Sequence, residues 1–342
     1  MPCTRGEAAA LPYTVRMPTD QRPLAIFVMG PTASGKTALA CALARRFRVG
    51  LISVDSALVY RGLDIGSAKP DAATLAEFPH RLIDIRDPAD PYSAAQFRDD
   101  ALREMQAMLE TGVTPLLVGG TGLYFRALQG GLSNLPAADE TVRARVAAAA
   151  SSGGWPALHA RLRDLDPAAA QRIRPGDTQR IQRALEVIEL TGRPLTEQLG
   201  RAPGRFGWRV LKLALVPADR AALHARIAAR VDAMITAGLL DEVAALRRRG
   251  DLHVDLPAMR AVGYRQAWQH LESRSTVVEF RDRAVFATRQ LAKRQMTWLR
   301  AELDARVLEP FDPALESSAV AALGAFLNRP AGCSAAGVAS QM

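Results

Sequence analysis

The sequence predicts an α/β protein with a mainly parallel sheet flanked by helices and a helical domain inserted into that core. Three observations lead to this prediction. Apolar runs of strand length alternate with helical stretches between residues 24 and 135, as expected for strands that helices cover on both faces. A glycine-rich loop joins the first strand to the first helix. A block of helices then precedes another apolar run at 208–216, which returns as a strand.

The glycine-rich loop has the spacing of a phosphate-binding loop: glycine, four residues, then Gly-Lys-Thr. It lies between the apolar run 24–29 and a helix that begins near Ala38, which is the context this motif requires. Backbone N–H groups of such a loop bind phosphate at a helix N-terminus. We therefore predict a P-loop NTPase-like core that binds a diphosphate or nucleotide, with Lys36 on the outer oxygens and Thr37 on Mg²⁺. The loop consists of Gly30, Pro31, Thr32, Ala33, Ser34, Gly35, Lys36 and Thr37.

Asp55 follows the predicted strand 51–54, and a further strand is predicted at 81–85. Because the carboxyl ends of parallel strands meet at one edge of a sheet, we expect Asp55 to face the phosphate-binding loop across a cleft. Three roles remain open for its carboxylate: a Mg²⁺ ligand, a general base, or a cap for the next helix.

Gly119-Gly120-Thr121-Gly122 follows the predicted strand 115–118 and belongs to the same edge. NTP-hydrolysing P-loop proteins often carry an acidic metal ligand at such a strand end, and its absence here weakens that function. Glycines permit close approach of a ligand, with Thr121 supplying a hydroxyl. A plain tight turn is the alternative.

The order of elements divides the chain into a core and an insertion. We place the core at 23–137 and 204–310 and the helical insertion at 138–203. A helix is predicted at 93–110 in the core, and helices at 220–237, 239–249 and 275–301 follow the insertion. We predict flexible extensions at 1–22 and 311–342, the latter because it is rich in Ala, Gly, Ser and Pro.

Composition limits the possible classes of protein. The 342 residues are 49% hydrophobic, enough for a substantial core, and charges interrupt every apolar run before it reaches membrane-spanning length. The N-terminus lacks the apolar centre of a secretory signal. The three cysteines match no metal or disulfide pattern, so we expect a cytoplasmic protein. A net charge of +9 favours a polyanionic partner, although compositional bias toward arginine is an alternative.

Three basic segments lie downstream of the phosphate-binding loop. Each alone is explained by a solvated helix face, but three of them beside a phosphate-binding core favour nucleic-acid binding. Their candidate contact residues are Gln179, Arg180, Ile181, Gln182 and Arg183; Arg260, Ala261, Val262, Gly263, Tyr264 and Arg265; and Arg289, Lys293 and Arg294. In the first segment, helical spacing places Ile181 on the inner face.

Together these motifs resemble those of the bacterial tRNA dimethylallyltransferases, also called tRNA isopentenyltransferases. The resemblance extends from about residue 24 to 300. It is carried by the loop 30–37, the run 55–70, His80–Asp84, Tyr92–Phe97, Gly119–Tyr124, Val262–Gln266 and Arg289–Gln295. Members of the family commonly have Thr where this chain has Ser67, and the hydroxyl is retained. The zinc finger of eukaryotic relatives is absent from this sequence.

The resemblance implies transfer of a dimethylallyl group from dimethylallyl diphosphate to N6 of the adenosine 3′ of the anticodon, in tRNAs that read codons beginning with U. It implies that Asp55 is the base, that Lys36 and Mg²⁺ on Thr37 stabilise the leaving diphosphate, and that Thr121 contacts the flipped adenosine. Arg143 matches a position that faces the tRNA. The tRNA contacts are then Asp55, Ser56, Ala57, Leu58, Thr121, Arg143 and the three basic segments. A monomer holding one tRNA is the simplest assembly.

Two other functions are compatible with the residues alone. A small-molecule kinase shares the phosphate-binding loop but needs an arginine-bearing lid and a compact acceptor pocket. An ATP-regulated RNA-binding protein without catalytic activity is the second. Phosphoryl transfer from ATP, rather than prenyl transfer without ATP, distinguishes the kinase.

Overall fold

The computed structural model describes residues 22–131, 135–136, 138–199, 206–273 and 275–328. Its centre is a six-stranded sheet in the order β3-β2-β4-β1-β5-β6, and all its strand pairs are parallel. The strands are Leu24–Met29 (β1), Val49–Val54 (β2), His80–Arg81 (β3), Thr114–Gly119 (β4), Arg209–Leu215 (β5) and Arg306–Leu308 (β6). This topology confirms the predicted α/β class.

Helices cover both faces of the sheet. Those before the insertion are Lys36–Arg46 (α1), Ala72–Glu77 (α2), Ala94–Glu110 (α3) and Gly122–Gly130 (α4). Those after it are Arg220–Thr236 (α9), Leu239–Arg248 (α10), Tyr264–Glu272 (α11), Val277–Leu299 (α12) and Leu315–Leu327 (α13). The predicted helix at 93–110 begins at a capping box, in which Ser93 and Gln96 each accept the other's backbone N–H.

Alternate side chains of β1 belong to two apolar layers, one on each face of the sheet. Ile26 and Val28 pack with α1 and α13 on one face, whereas Phe27 and Met29 pack with α4, α9 and α12 on the other. Successive strand side chains point to opposite faces, and both faces are buried, so β1 reads as one continuous apolar run. Helices therefore cover both faces of the sheet, and the carboxyl ends of its strands remain accessible for a ligand site.

The helical insertion lies between α4 and β5. Its helices are Glu140–Leu165 (α5), Pro167–Arg172 (α6), Thr178–Thr191 (α7) and Leu195–Gln198 (α8). The α5 helix is kinked at Gly154, whose φ of 78° is non-helical. A small core of its own, with Val146, Leu162 and Ile181, holds the insertion together. The chain then returns to β5, which pairs with β1.

Two sequence predictions are corrected by the fold. The predicted flexible tail at 311–342 contains α13, which packs on α1 and buries Ala319 and Leu323. Its buried stripe is Ala319, Ala322 and Leu323, and the abundance of Ala, Gly, Ser and Pro in 311–342 does not reveal it. The predicted strand 81–85 is confined to β3, because Leu82 and Asp84 adopt positive φ values of 64° and 56°. The predicted extension at 1–22 lies, apart from residue 22, outside the described residues, as do 329–342.

In the described part of the chain, no helix combines the length and apolarity needed to cross a membrane.

Candidate active site

A cavity of about 730 Å³ opens at the carboxyl edge of the sheet. It brings together the phosphate-binding loop, the turn after β2 and the turn after β4, as the strand order predicts. Its lining also includes the second basic segment at 260–263 and, from the third, Arg294. The site is therefore formed by segments that are far apart in the sequence and meet at one edge.

The phosphate-binding loop has the backbone shape its sequence suggests. Gly35 caps α1 with a φ of 82°, and Ala33 has a φ of 64°, so both occupy the left-handed region that turns N–H groups inward. Lys36 Nζ donates to the Pro31 carbonyl oxygen at 2.9 Å. Ser34 is buried and the Thr37 side chain is exposed at the first turn of α1. An anion in the cleft would meet the positive end of this helix.

Lys36 is electrostatically prepared for a phosphate. The pKa of Lys36 is lowered to about 8, mainly by loss of hydration inside the cleft; the charge of Asp55 opposes this, and the charge of Arg230 contributes a smaller lowering. Lys36 is half-buried, and an ammonium that has lost hydration and is only partly compensated by Asp55 favours an anion, because a bound diphosphate supplies further negative charge.

Asp55 closes its own turn as well as facing the cleft. Its Oδ1 accepts the N–H groups of Ala57 at 2.8 Å and Leu58 at 3.4 Å. Thr121 Oγ1 accepts the Ser56 N–H at 3.2 Å, which ties the turn after β4 to that after β2. Within the described residues, Asp55 Oδ2 has no hydrogen-bond partner. Its carboxylate thus combines a local capping role with an oxygen available to a ligand.

Two arginines of α9 belong to the site, and neither is among the residues predicted from the sequence. Arg226 Nε donates to the Ala33 carbonyl oxygen at 3.0 Å, which braces the phosphate-binding loop. Arg230, one turn later, lines the same cavity, and burial lowers its pKa. The i, i+4 spacing beside the buried Ile227 and Val231 was the available signal.

Gln295, also absent from the predicted site, connects the two halves of the cleft. Its Oε1 accepts the Thr32 N–H at 2.8 Å, and its Nε2 donates to the Gly120 carbonyl oxygen at 3.0 Å. The side chain therefore belongs to the interior of the site, although the same helix presents Lys293 and Arg294 to solvent.

The prediction that the Tyr264 side chain contacts tRNA is wrong, because that side chain is fully buried. Its hydroxyl donates to Glu242 Oε1 at 2.6 Å. Glu242 in turn accepts the backbone N–H groups of residues 64, 65 and 66 at 3.1, 2.8 and 3.2 Å. Gly66 is required at that point, since a Cβ there would lie 2.7 Å from the Tyr264 ring. Tyr264 thus supports a loop that lines the cleft, and its side chain has no surface for RNA.

The basic residues of the insertion are partly occupied within the protein. Glu186 is fully buried and accepts from Arg143 Nε at 3.1 Å and from Arg183 at 2.8 Å. Arg180 pairs with Asp177 at 2.9 Å. Ile181 is fully buried, as its helical spacing predicts, so its inclusion among direct tRNA contacts is wrong. The buried carboxylate holds Arg143 and Arg183 in place while Arg143 keeps an exposed side.

The first two basic segments meet in space. With its amide oriented so that Oε1 accepts, Gln179 of the insertion contacts the Arg260 guanidinium, at 3.0 Å to Nη1. Arg260 is exposed, and the adjacent Ala261, Val262 and Gly263 line the cleft. Among the other residues of the three basic segments, Arg265 and Arg289 are half-buried. Gln182 donates to the Arg143 carbonyl oxygen at 3.3 Å. A basic surface therefore extends from the insertion to the mouth of the cleft.

The cleft suits Mg²⁺ held mainly by ligand oxygens. The described residues contain no group of three or more His, Cys, Asp or Glu side chains arranged to hold a metal ion. Thr37 and Asp55 line the same cavity and offer one hydroxyl and one carboxylate. Mg²⁺ commonly keeps several waters and binds through one or two protein oxygens plus substrate phosphates, and these two residues fit that pattern.

Sequence comparison relates most of this chain to a family of known proteins. The IPP transferase family model matches residues 58–302. The tRNA dimethylallyltransferase of Thiobacillus denitrificans is 58% identical over 311 residues, covering 91% of this chain and 99% of that protein. The enzyme of the same name from Stenotrophomonas maltophilia is 60% identical over 301 residues, covering 86% of this chain and 95% of that protein.

Solved structures agree in fold. The full-length tRNA isopentenylpyrophosphate transferase of Bacillus halodurans superposes with a TM-score of 0.64 at 36% identity, over 90% of this chain and 96% of that one. A eukaryotic dimethylallyltransferase acting on tRNA has a TM-score of 0.74 at 23% identity, over 90% of this chain and 81% of that one, and supports the fold alone. With a family match across residues 58–302 and relatives near 60% identity, the chain belongs to the IPP transferase family.

Proposed function

We propose that this protein transfers a dimethylallyl group from dimethylallyl diphosphate to N6 of the adenosine 3′-adjacent to the anticodon, in tRNAs that read codons beginning with U. The observation that carries the proposal is the shared cleft, in which the phosphate-binding loop faces Asp55 and Thr121. The strand end at Gly119 carries no carboxylate that would serve NTP hydrolysis. The names of the relatives support prenyl transfer over phosphoryl transfer to a small molecule.

The donor would bind with its diphosphate in the loop 30–37. As the bond between the allylic carbon and the diphosphate oxygen breaks, negative charge builds on the leaving group. Lys36, Arg230 and the N–H groups at the start of α1 lie where they would stabilise that charge. Mg²⁺ bound through Thr37 would neutralise further charge on the diphosphate.

The acceptor would enter from the opposite side of the cleft. An adenosine stacked in the anticodon loop must leave its stack to reach the donor. Its N6 attacks the allylic carbon, and Asp55 receives the proton that N6 gives up as the new C–N bond forms. Thr121, already fixed by the Ser56 N–H, would orient the purine. The products are N6-(dimethylallyl)adenosine in tRNA and free diphosphate.

The tRNA itself would lie across the basic surface that leads from the insertion to Arg260 and on to Lys293 and Arg294. These side chains would contact phosphates and position the anticodon stem-loop over the cleft. We propose that one protein molecule holds one tRNA and that the reaction takes place in the cytoplasm.

Incubation of purified protein with unmodified tRNA and labelled dimethylallyl diphosphate, without ATP, tests the proposal. Label should appear in tRNA and require an adenosine next to the anticodon. Transfer of the γ-phosphate of ATP to a small acceptor, with no label in tRNA, would overturn it.

A further inference from the structure

Gln295 lies on α12 between the phosphate-binding loop and the turn after β4, and it is hydrogen-bonded to both. Its Oε1 accepts the N–H of Thr32, 263 residues away in the chain, at 2.8 Å. Its Nε2 donates to the carbonyl oxygen of Gly120, 175 residues away, at 3.0 Å. One partly buried side chain therefore joins three segments. Two of them, the phosphate-binding loop and the turn after β4, also share a backbone hydrogen bond from the Gly30 N–H to the Gly119 carbonyl oxygen at 3.4 Å, and the side chain ties both to α12.

The bridge requires an amide of this length. Thr32 offers a donor and Gly120 an acceptor, so the side chain between them needs an acceptor at one end and a donor at the other. Glutamate has no N–H to give, and methionine has the length but neither function. The bridge also requires glycine at position 120, since a Cβ there would lie 2.3 Å from Gln295 Nε2. The close approach is therefore built by both residues.

The two bonded segments belong to opposite halves of the proposed reaction. Thr32 lies in the loop that would hold the donor diphosphate, and Gly120 precedes Thr121, which would contact the acceptor. Bond formation needs the reacting atoms about 3–3.5 Å apart and aligned, and a displacement of about 1 Å can cost a hundredfold in rate. The pairing of β1 with β4 holds the two strand ends together, and the Gln295 bridge fixes the loop and the turn beyond those ends.

We propose that Gln295 is a positioning residue that sets the distance between the donor diphosphate and the acceptor adenosine. The inference rests on the proposed function. It assigns Gln295 a different task from its neighbours Lys293 and Arg294, which face solvent and would hold the tRNA. Through this side chain the tRNA-holding helix is bonded directly to the donor loop.

The test compares Gln295→Met with wild-type protein and with Gln106→Met. The control removes an exposed glutamine whose Nε2 donates to Glu110 at 3.3 Å on α3, away from the cleft. We expect kcat for prenyl transfer to fall about 10- to 100-fold in Gln295→Met. The KM for tRNA should change less than about threefold. The ratio of transfer to hydrolysis of the donor into dimethylallyl alcohol should also fall, because a misplaced acceptor leaves the activated carbon to water.

A second substitution guards against a folding defect. Gln295→Glu keeps the length and the acceptor for Thr32 but removes the donor to Gly120, so it should also lower kcat and the ratio of transfer to hydrolysis. If either folded variant keeps wild-type kcat and this ratio, the inference is wrong. It is equally wrong if only the KM for tRNA rises, because that result makes Gln295 a tRNA contact. Absence of prenyl transfer by the wild-type protein would instead refute the proposed function.

Discussion

Replacing Tyr264 by phenylalanine separates a supporting role from an RNA contact. The exchange removes one hydroxyl, which donates to Glu242 Oε1 at 2.6 Å inside the protein. That carboxylate also accepts three backbone N–H groups from residues 64–66, so the hydroxyl is one of four donors to a single charge. Hydrogen bonds to charged groups contribute about 1.5–3 kcal/mol each. We therefore expect the free energy of unfolding to fall by about 2 kcal/mol.

The assay is thermal unfolding together with tRNA affinity at fixed salt concentration. Tyr264→Phe should lower the unfolding temperature by a few degrees and change the Kd for tRNA less than about twofold. Tyr92→Phe is the matched control, because Tyr92 is also buried and donates to a carboxylate, Asp100 Oδ2, at 2.8 Å on α3. Unchanged stability with tenfold weaker tRNA binding in Tyr264→Phe would exclude the supporting role and make Tyr264 an RNA contact.

Three further predictions concern the cleft and its rim. Asp55→Asn preserves the oxygen that caps the turn but not the base, so turnover should fall about 10²- to 10⁴-fold while the Kd for tRNA stays within about threefold; near-normal turnover would exclude Asp55 as the base. Bound diphosphate should raise the pKa of Lys36 above its free value of about 8, so donor affinity should be constant below pH 8 and fall above it, by up to about tenfold per pH unit for one proton. Calorimetry should detect proton uptake on donor binding near pH 8.5 that Lys36→Arg lacks, and equal uptake in both would contradict the assignment. Arg294→Ala should weaken tRNA binding and reduce the slope of log Kd against log salt by about one phosphate contact; an unchanged slope would remove Arg294 from the interface.

The fold was predictable because its signals are local. β1 is a continuous apolar run, β2 and β4 are largely apolar, and a glycine or Asp55 marks the carboxyl end of each. The helix α13 was not predicted because two of its three buried residues are alanine, and a composition rich in alanine does not distinguish a packed helix from a flexible tail. β3 is short because Leu82 and Asp84 have positive φ values, which the sequence does not predict.

The candidate site was predictable only in the parts that follow strand ends. The phosphate-binding loop, Asp55 and Thr121 meet because parallel strands share an edge. Arg226 and Gln295 reach the loop through side chains of distant helices, and local spacing does not say which loop a helix will face. Tyr264 was misassigned for a related reason, since an aromatic residue between arginines suits either a core or an RNA surface.

In the proposed reaction, the phosphate-binding loop holds the leaving group of a prenyl donor. Mass spectrometry of tRNA nucleosides after incubation with the purified protein, dimethylallyl diphosphate and Mg²⁺, in the absence of ATP, tests it most directly. We expect N6-(dimethylallyl)adenosine next to the anticodon of tRNAs that read codons beginning with U. Unmodified adenosine at that position, together with consumption of ATP when a small acceptor is supplied, would contradict it.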